Sequence, residues 1–335
     1  MTAKTGVRDQ FPKRGNWSLT PVFAFLAIAA MPALAQVNFP AKAVTIIVPY
    51  PAGGSNDTFA REVGRKLSDT WKVPVIVDNR PGAGGSIGAA IVSKAAPDGY
   101  TLCLLSSSFT TSAAIQTHLP FDPVNGFTPV AMVAKGPMIL TVSNAVPAKT
   151  TLELFALARA NPGKLNYGSS GQGSTNHFAT ELMLEAANIK MTHVPYKGMP
   201  PAVTDVIGGH VDVLIASGPS IYQHVKAGKV RGLGVTSKGV SQVVPDLPPL
   251  SSMGVPSYSF ELWWGILAPP KTPPDVVIQI NIDVNRILDT PEMKEVFLRE
   301  GAEPAPLSAA QFAATIRNEI EGWKKVAKAA NIKPE

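Results

Sequence analysis

The chain has 335 residues, 45% of them hydrophobic and 16% charged, enough apolar mass for a full core and too much for disorder away from the ends. The formal net charge is +6, but no dense Lys/Arg stripe with interleaved aromatics occurs, so nucleic-acid binding has no support. Cys103 is the only cysteine, which excludes an intrachain disulfide and a cysteine metal cluster.

Residues 1–35 read as a secretory leader. Arg8, Lys13 and Arg14 give a basic start, "LTPVFAFLAIAA" a short apolar core, and Ala33 and Ala35 the A-x-A spacing of a cut after Ala35. About a dozen apolar residues are too few to cross a bilayer, and Pro21 and Pro32 break them. The competing reading is an anchor that stays attached. The leader carries a net +3 of the +6, so the mature chain keeps a mild +3, compatible with a small anionic ligand. Export without a disulfide suits a periplasm better than an extracellular surface.

The mature chain opens on "AVTIIVP", a β-branched run that predicts a strand buried on both faces. Phe59, Val63 and Leu67 then fall on one helical stripe. "VPVIVDN" is a second strand, "GGSIGAAIVSKAA" a helix with Ile87 and Ile91 on one side, and "YTLCLLSS" a third strand with Cys103 as a buried thiol. This order predicts a parallel sheet with helices on its faces. "VAMVAKGPMILTV" reads as two strand pieces interrupted at Gly136-Pro137.

Thr150 and Glu153 form a capping box opening "TLELFALARA". Then follow a strand "KLNYGSS", a helix from about Ser174, a strand "MTHVPY", a helix from about Pro200, a strand "VDVLIAS", a helix "SIYQHVKAG" and a strand "VRGLGVTS". This is a second α/β unit. "YSFELWWGILAPP" is strand-like, with Trp263 and Trp264 read as core and hinge packing. Thr272-Pro273-Pro274, Thr290-Pro291 and the Ser308/Gln311 box mark three more helix starts, the last backed by Phe312, Ile316, Ile320 and Trp323 on one face. Two α/β units imply two lobes with chain crossings between them and a ligand at the strand C-termini.

Two loops carry chemistry. In "PYPAGGSND" (49–57), Gly53 and Gly54 permit a tight turn into a helix whose first N–H groups and dipole favour an anion. Ser55, Asn56 and Asp57 are all able to cap, so a capped helix with no ligand stays open at this point. A second loop, "NYGSSGQGSTNHF", repeats the device: Gly168 to Ser174 precede a helix with Phe178, Leu182 and Ala186 at four-residue spacing. Ser169, Ser170, Ser174 and Thr175 add hydroxyl donors. Two such loops facing each other make a clamp for a small carboxylate.

Other motifs carry less. Gly84-Gly85-Ser86-Ile87-Gly88 fits G-x-S-x-G, but "NRPGAGG" separates it from its strand, so small residues for close packing explain it better than a hydrolase elbow. "GQGSTN" has Asn176 where a dinucleotide fingerprint needs glycine, and no phosphate loop occurs. The five histidines, 118, 177, 193, 210 and 224, show no metal-ligand spacing. His177 is either a helix-start residue bonding its loop or a ligand contact. Asp205 and Asp212 form no acid/base pair by sequence. No cofactor or metal is expected.

Eight segments, from "VTIIVPYPAGGSNDTFAR" and "VDNRPGAGGSIGA" through "APDGYTL", "FDPVNGFTPVA", "LNYGSSGQGSTNHFATELM", "HVPYKGMPPAVTDVIGGHVDV" and "VKAGKVRGLGVTS" to "WWGILAPPKTPPDVV", resemble in order the periplasmic solute-binding proteins of tripartite tricarboxylate transporters, the Bug-type receptors. The resemblance implies a two-lobed, type II-like Venus-flytrap α/β fold of mainly parallel sheets flanked by helices. Lobe 1 would be 36–135 plus 255–335 and lobe 2 136–254. It implies a monomer that delivers a mono-, di- or tricarboxylate, aromatic acids included, to a membrane permease, with no catalysis.

Carried over residue by residue, the ligand contacts would come from Tyr50, Pro51, Ala52, Gly53, Gly54, Asn56 and Asp57, and from Ser169, Ser170, Gly171, Gly173, Ser174 and His177. Tyr196, Lys197 and Ser107 join them from neighbouring cleft segments. Met199 and "PDLPPLSSMG" depart from the usual pattern, and the solute is left open. The competing functions are a secreted α/β hydrolase and an orphan carboxylate sensor without a dedicated permease.

Overall fold

The computed structural model describes residues 39–116 and 118–329; the expected leader and its cleavage point lie outside them. The first unit runs β1 (Val44–Val48), α1 (Ser55–Trp71), β2 (Val75–Asn79), α2 (Ser86–Ser93), β3 (Thr101–Ser106) and α3 (Ser108–Ile115). β1 pairs in parallel with β2 and β3. Val44, Ile46 and Val48 are wholly buried on one face and Ile47 is buried in a separate cluster on the other, so the strand is covered on both sides. The α1 stripe of Phe59, Val63 and Leu67 is buried throughout. Cys103 is a buried free thiol. Helix α3 has no counterpart in the sequence reading, because "SFTTSAAI" shows no helical hydrophobic period.

α2 forms as expected, with Ile87 and Ile91 together on one side, and that side faces outward. Ile87 and Ile91 are 52% and 44% exposed, while Gly88, Ala89 and Val92 are buried. The small face packs because a Cβ on Gly88 would fall 2.8 Å from the Pro49 Cα. Close approach of helix to strand end decides the orientation, ahead of hydrophobicity.

β4 corrects one expectation. Thr128–Val142 is one continuous strand of 15 residues, not two pieces. Its partners change at the Gly-Pro pair: β9 (Glu261–Ala268) pairs as far as Pro137, and β7 (Val213–Ser217) begins opposite Met138. Proline is tolerated at a ladder's end. Met138 N–H donates instead to Thr236 Oγ1 at 2.8 Å.

The second unit holds α4 (Thr151–Ala160), β5 (Asn166–Ser169), α5 (Thr175–Ala187), β6 (Thr192–Pro195), α6 (Met199–Gly208), β7, α7 (Gly218–Lys226) and β8 (Arg231–Val235). After β9 come α8 (Pro274–Leu288), α9 (Pro291–Arg299), β10 (Glu303–Pro304) and α10 (Ala309–Ala329). The sheet order is β2-β1-β3-β9-β4-β7-β5-β6, with β8 and β10 also on β4. It is parallel at both flanks and antiparallel through β9 and β4. In α5 the inward face is Phe178, Ala179, Met183 and Ala187, with Ala186 turned outward.

The registers place the site. Ser106, ending β3, aligns with Trp264, which aligns with Ala134 of β4. Ser217, ending β7, aligns with Met138. Both parallel flanks therefore aim their C-terminal ends at the middle of β4. Trp264, wholly buried, lies there against Phe59 at 4.8 Å, and Phe59 in turn meets Phe297 at 4.6 Å. Phe59→Ala should lower unfolding free energy by about 3–5 kcal/mol, since no neighbour can fill the ring's volume. Urea denaturation measures it, and a loss under 1 kcal/mol would mean this aromatic cluster is not a core.

Candidate functional site

The first loop is braced from behind. Gly53 takes a left-handed φ of +81°, and its N–H donates to Asp57 Oδ2 at 2.9 Å. Arg61 pairs with Asp57 Oδ1 at 2.8 Å and donates to Asn79 Oδ1 at 3.0 Å, while Asn79 Nδ2 donates to the Tyr50 carbonyl at 3.1 Å. Burial alone would raise the Asp57 carboxyl, but Arg61, Gly53 and Asn79 outweigh it and hold it below the usual range. The loop's charges thus look inward to its own scaffold. Gly54, at the α1 N-cap, has no side chain to satisfy the helix's first N–H groups.

The second loop is tied by its own hydroxyls. Ser174 Oγ donates to the Gly171 carbonyl at 2.6 Å and caps α5 by accepting from His177 N–H. Ser169 Oγ lies 2.7 Å from His193 Nε2. Gly173 N–H donates to His177 Nδ1 at 3.1 Å. Ser170 Oγ donates to Asn176 Oδ1 at 2.8 Å, and Asn176 Nδ2 to the Ile215 carbonyl at 2.8 Å, which fixes α5 to β7.

Between these loops lies a cavity of about 50 Å³, room for a handful of waters. One wall is Tyr50, Pro51, Gly54, Ser55 and Asn56, with Ser106 and Ser108 at the β3–α3 junction and Leu262 and Trp264 on β9. The other is Ser170, Thr175 and Asn176, with Gly198, Met199 and Pro200 opening α6 and Ser217 and Ser220 opening α7. The starts of α1, α3, α5, α6 and α7 all reach it, and four of these, α5 excepted, carry no side-chain cap. Their first-turn N–H groups and dipoles make the cavity electropositive. Among the described residues no Asp, Glu, Lys, Arg or His lines it, and burial first of all pushes the Tyr50 phenol up, keeping it neutral. Ser55 Oγ accepts from Trp264 Nε1 at 3.1 Å, which leaves Ser55 its own O–H to donate.

The mouth is shut by contacts between the two walls. Ser108 Oγ and Thr175 Oγ1 are 2.6 Å apart. Pro51 lies over Gly198 so closely that a Cβ there would come within 2.7 Å of its ring. Ile115 approaches Gly173 in the same way, at 2.3 Å from where a Cβ would stand.

Of the residues singled out in the sequence, Tyr50, Pro51, Gly54, Asn56 and Ser170 line this cavity. Ala52 and Lys197 are exposed, and Gly53 and Asp57 brace the first loop. Ser107 is the buried N-cap of α3, beside the cavity rather than on its wall. Ser169, Gly171, Gly173, Ser174 and His177 shape the second loop, and Tyr196 O–H donates to Asp205 Oδ2 at 2.6 Å. Ser106, Ser108, Asn176, Gly198, Pro200, Ser217, Ser220 and Leu262 were not singled out, and Trp264 was read as core and hinge packing. A strand running into "SGPS" was the available signal for Ser217 and Ser220.

The model of the family described as "Tripartite tricarboxylate transporter family receptor" matches residues 59–332. The chain belongs to this receptor family. Protein BugT of Bordetella pertussis is 32% identical over 318 residues, 94% of this receptor and 98% of that protein. Rpa4515 of R. palustris, solved with adipate, is 34% identical with a TM-score of 0.86, covering 89% of this receptor and 100% of that chain. MatC (Rpa3494) from Rhodopseudomonas palustris, solved with bound malate, is 29% identical with a TM-score of 0.81, covering 86% and 99%. The receptor thus has the α/β fold of periplasmic binding proteins, and family members are periplasmic receptors.

The Asp57 brace is testable by pH. A carboxyl held low stabilises the receptor above about pH 4, and that contribution drains as pH falls through its folded value. Asp57→Asn should melt lower than wild type at pH 7 and lose less between pH 5 and pH 3. Parallel melting curves for the two proteins would remove the brace.

Proposed function

We propose that this receptor captures a small carboxylate in the cavity between the two walls and presents it unchanged to the membrane permease of a tripartite transporter. The observation that carries this reading is the convergence of five helix starts, four without side-chain caps, on a cavity free of charged side chains. Such a site suits an anion and offers it no counter-ion. Helix-dipole contacts contribute about 0.3–1 kcal/mol each, up to about 2 when partly buried. Hydrogen bonds to a charged group add about 1.5–3 kcal/mol each. Micromolar affinity needs about 8 kcal/mol net, so neutral donors suffice. Adipate in Rpa4515 and malate in MatC support the carboxylate. Met199, Leu262 and Trp264 would meet the apolar body of the solute.

In this reading residues 36–135 with 255–335 act as one lobe and 136–254 as the other. The solute stabilises the state in which both lobes touch it, which is a population shift. The shut mouth and small cavity fit a closed state that must open to admit a six-carbon acid. Residues 1–35 would direct export, with cleavage after Ala35, and the mature receptor would work as a monomer in the periplasm. In this reading the solute is left chemically unchanged; Ser86 opens α2 outside the lining of the cavity, and its hydroxyl donates to the Ala83 carbonyl at 2.9 Å.

A thermal-shift panel of mono-, di- and tricarboxylates tests the reading. One acid should raise the melting temperature and be recovered intact; at 100 times its Kd it adds about 2.7 kcal/mol. Turnover that depends on Ser86 would overturn it. Gly54→Val should fold normally, since a Cβ there meets only the Pro51 carbonyl at 3.6 Å, yet bind at least about tenfold more weakly as its methyls enter the cavity. Unchanged affinity, read by calorimetry, would remove the first loop from the site.

A further inference from the structure

Beneath the second loop lies a titratable pair that capture itself does not use. His177, on α5, and His193, on β6, stack face to face with ring centroids 4.2 Å apart and planes 6° apart. Tyr167 of β5 stacks on His193 at 4.8 Å, and its hydroxyl bonds to Glu181 of α5. These four groups form a layer directly beneath the loop 169–174. Two ring bonds connect layer to loop, one at each histidine: Ser169 Oγ to His193 Nε2, and Gly173 N–H to His177 Nδ1; the His177 backbone N–H adds a third link to Ser174 Oγ.

The second bond has a chemical requirement. A backbone N–H can only donate, so Nδ1 of His177 must offer its lone pair. The proton of the neutral ring therefore sits on Nε2, and protonating Nδ1 abolishes the bond and sets two N–H groups against each other. His193 lacks this constraint, because Ser169 Oγ can donate or accept. Gly173 is also the residue on which Ile115 closes from the opposite wall.

We propose that His177 is a positioning residue for the second cleft loop, holding it through an unprotonated Nδ1, so that acid loosens the loop from which Ser170 faces the solute. This rests on that loop belonging to the capture site. Burial lowers His177 to about 4. Burial, and then repulsion from His177, lowers His193 to about 4, with Glu181 pulling the other way. Tyr167 is pushed up by burial and by Glu181 and stays neutral. The Gly173–His177 bond is therefore intact at neutral pH and is lost as pH falls toward about 4. The sign follows linkage: a histidine lowered by folding stabilises above its unfolded value of about 6.5, and that stabilisation is lost as pH falls toward 4.

Nitrogen-15 NMR on the purified receptor, with no solute added, tests this between pH 7 and pH 3.5. The His177 ring should titrate with a midpoint near 4, and the Gly173 amide should shift with the same midpoint. In His177→Asn, whose side-chain oxygen can accept the same N–H without titrating, the Gly173 amide should stay in place through that range. In His177→Ala it should sit at pH 7 where the wild type arrives only in acid. A His177 midpoint near 6.5, or a Gly173 amide that stays still while His177 protonates, would overturn the assignment, and both are read on the wild type alone. A flat carboxylate panel would instead end the capture reading and leave this result standing.

Discussion

The receptor's construction depends on one strand. β4 runs through the whole sheet, and its two halves take different partners. The parallel flanks run in opposite directions, so in a flat sheet their C-terminal ends would point to opposite edges. Because one flank is joined through β9 to the first half of β4 and the other is paired to the second, both sets of ends meet at its middle instead. The loops that follow β1, β3, β5, β6 and β7 are thereby gathered around one cavity. Gly136 and Pro137 mark the changeover, where no single ladder is continuous. A strand break there would separate the two walls of the site.

The gathered loops explain how an anion site is built without a cation. Every helix starting at the cavity brings N–H groups that are already oriented and that need no side-chain ordering. Where a charged pair does occur, at Asp57 and Arg61, it faces the loop's scaffold. An arginine facing the cavity would grip harder and release more slowly, which is the wrong balance for a carrier that hands its cargo on.

Local structure was legible in the sequence because its signals are local. The α1 stripe, the boxes at Thr150 and Ser308 and the cap at Thr290 follow from spacing alone, and their hydrogen bonds are present. The two glycine loops could be found, but not which of their atoms face the cavity. That depends on braces from afar, such as Asn79 on Tyr50 and His193 on Ser169. Hence Asp57 and Ser174, read as ligand groups, spend hydrogen bonds within their own loops, whereas Ser217 and Ser220 sit at a helix start with no glycine cluster to announce it. β4 was misread for a related reason: Gly-Pro is a break signal unless the partners on both sides are known. Which side of α2 packs was not legible, because the Gly88 face approaches closer than any isoleucine could.

The two contacts that shut the mouth, Pro51 on Gly198 and Ile115 on Gly173, each place a side chain against bare backbone. Volume added at either glycine is taken from the seam between the walls, whereas volume changed at Met199, Leu262 or Pro200 is taken from the chamber. The molecule therefore separates two kinds of variation in space. Its chamber can be recut for a longer, shorter or bulkier guest while the contacts between the walls are left as they were. The same seam punishes almost any substitution at its two points of contact, whatever the guest.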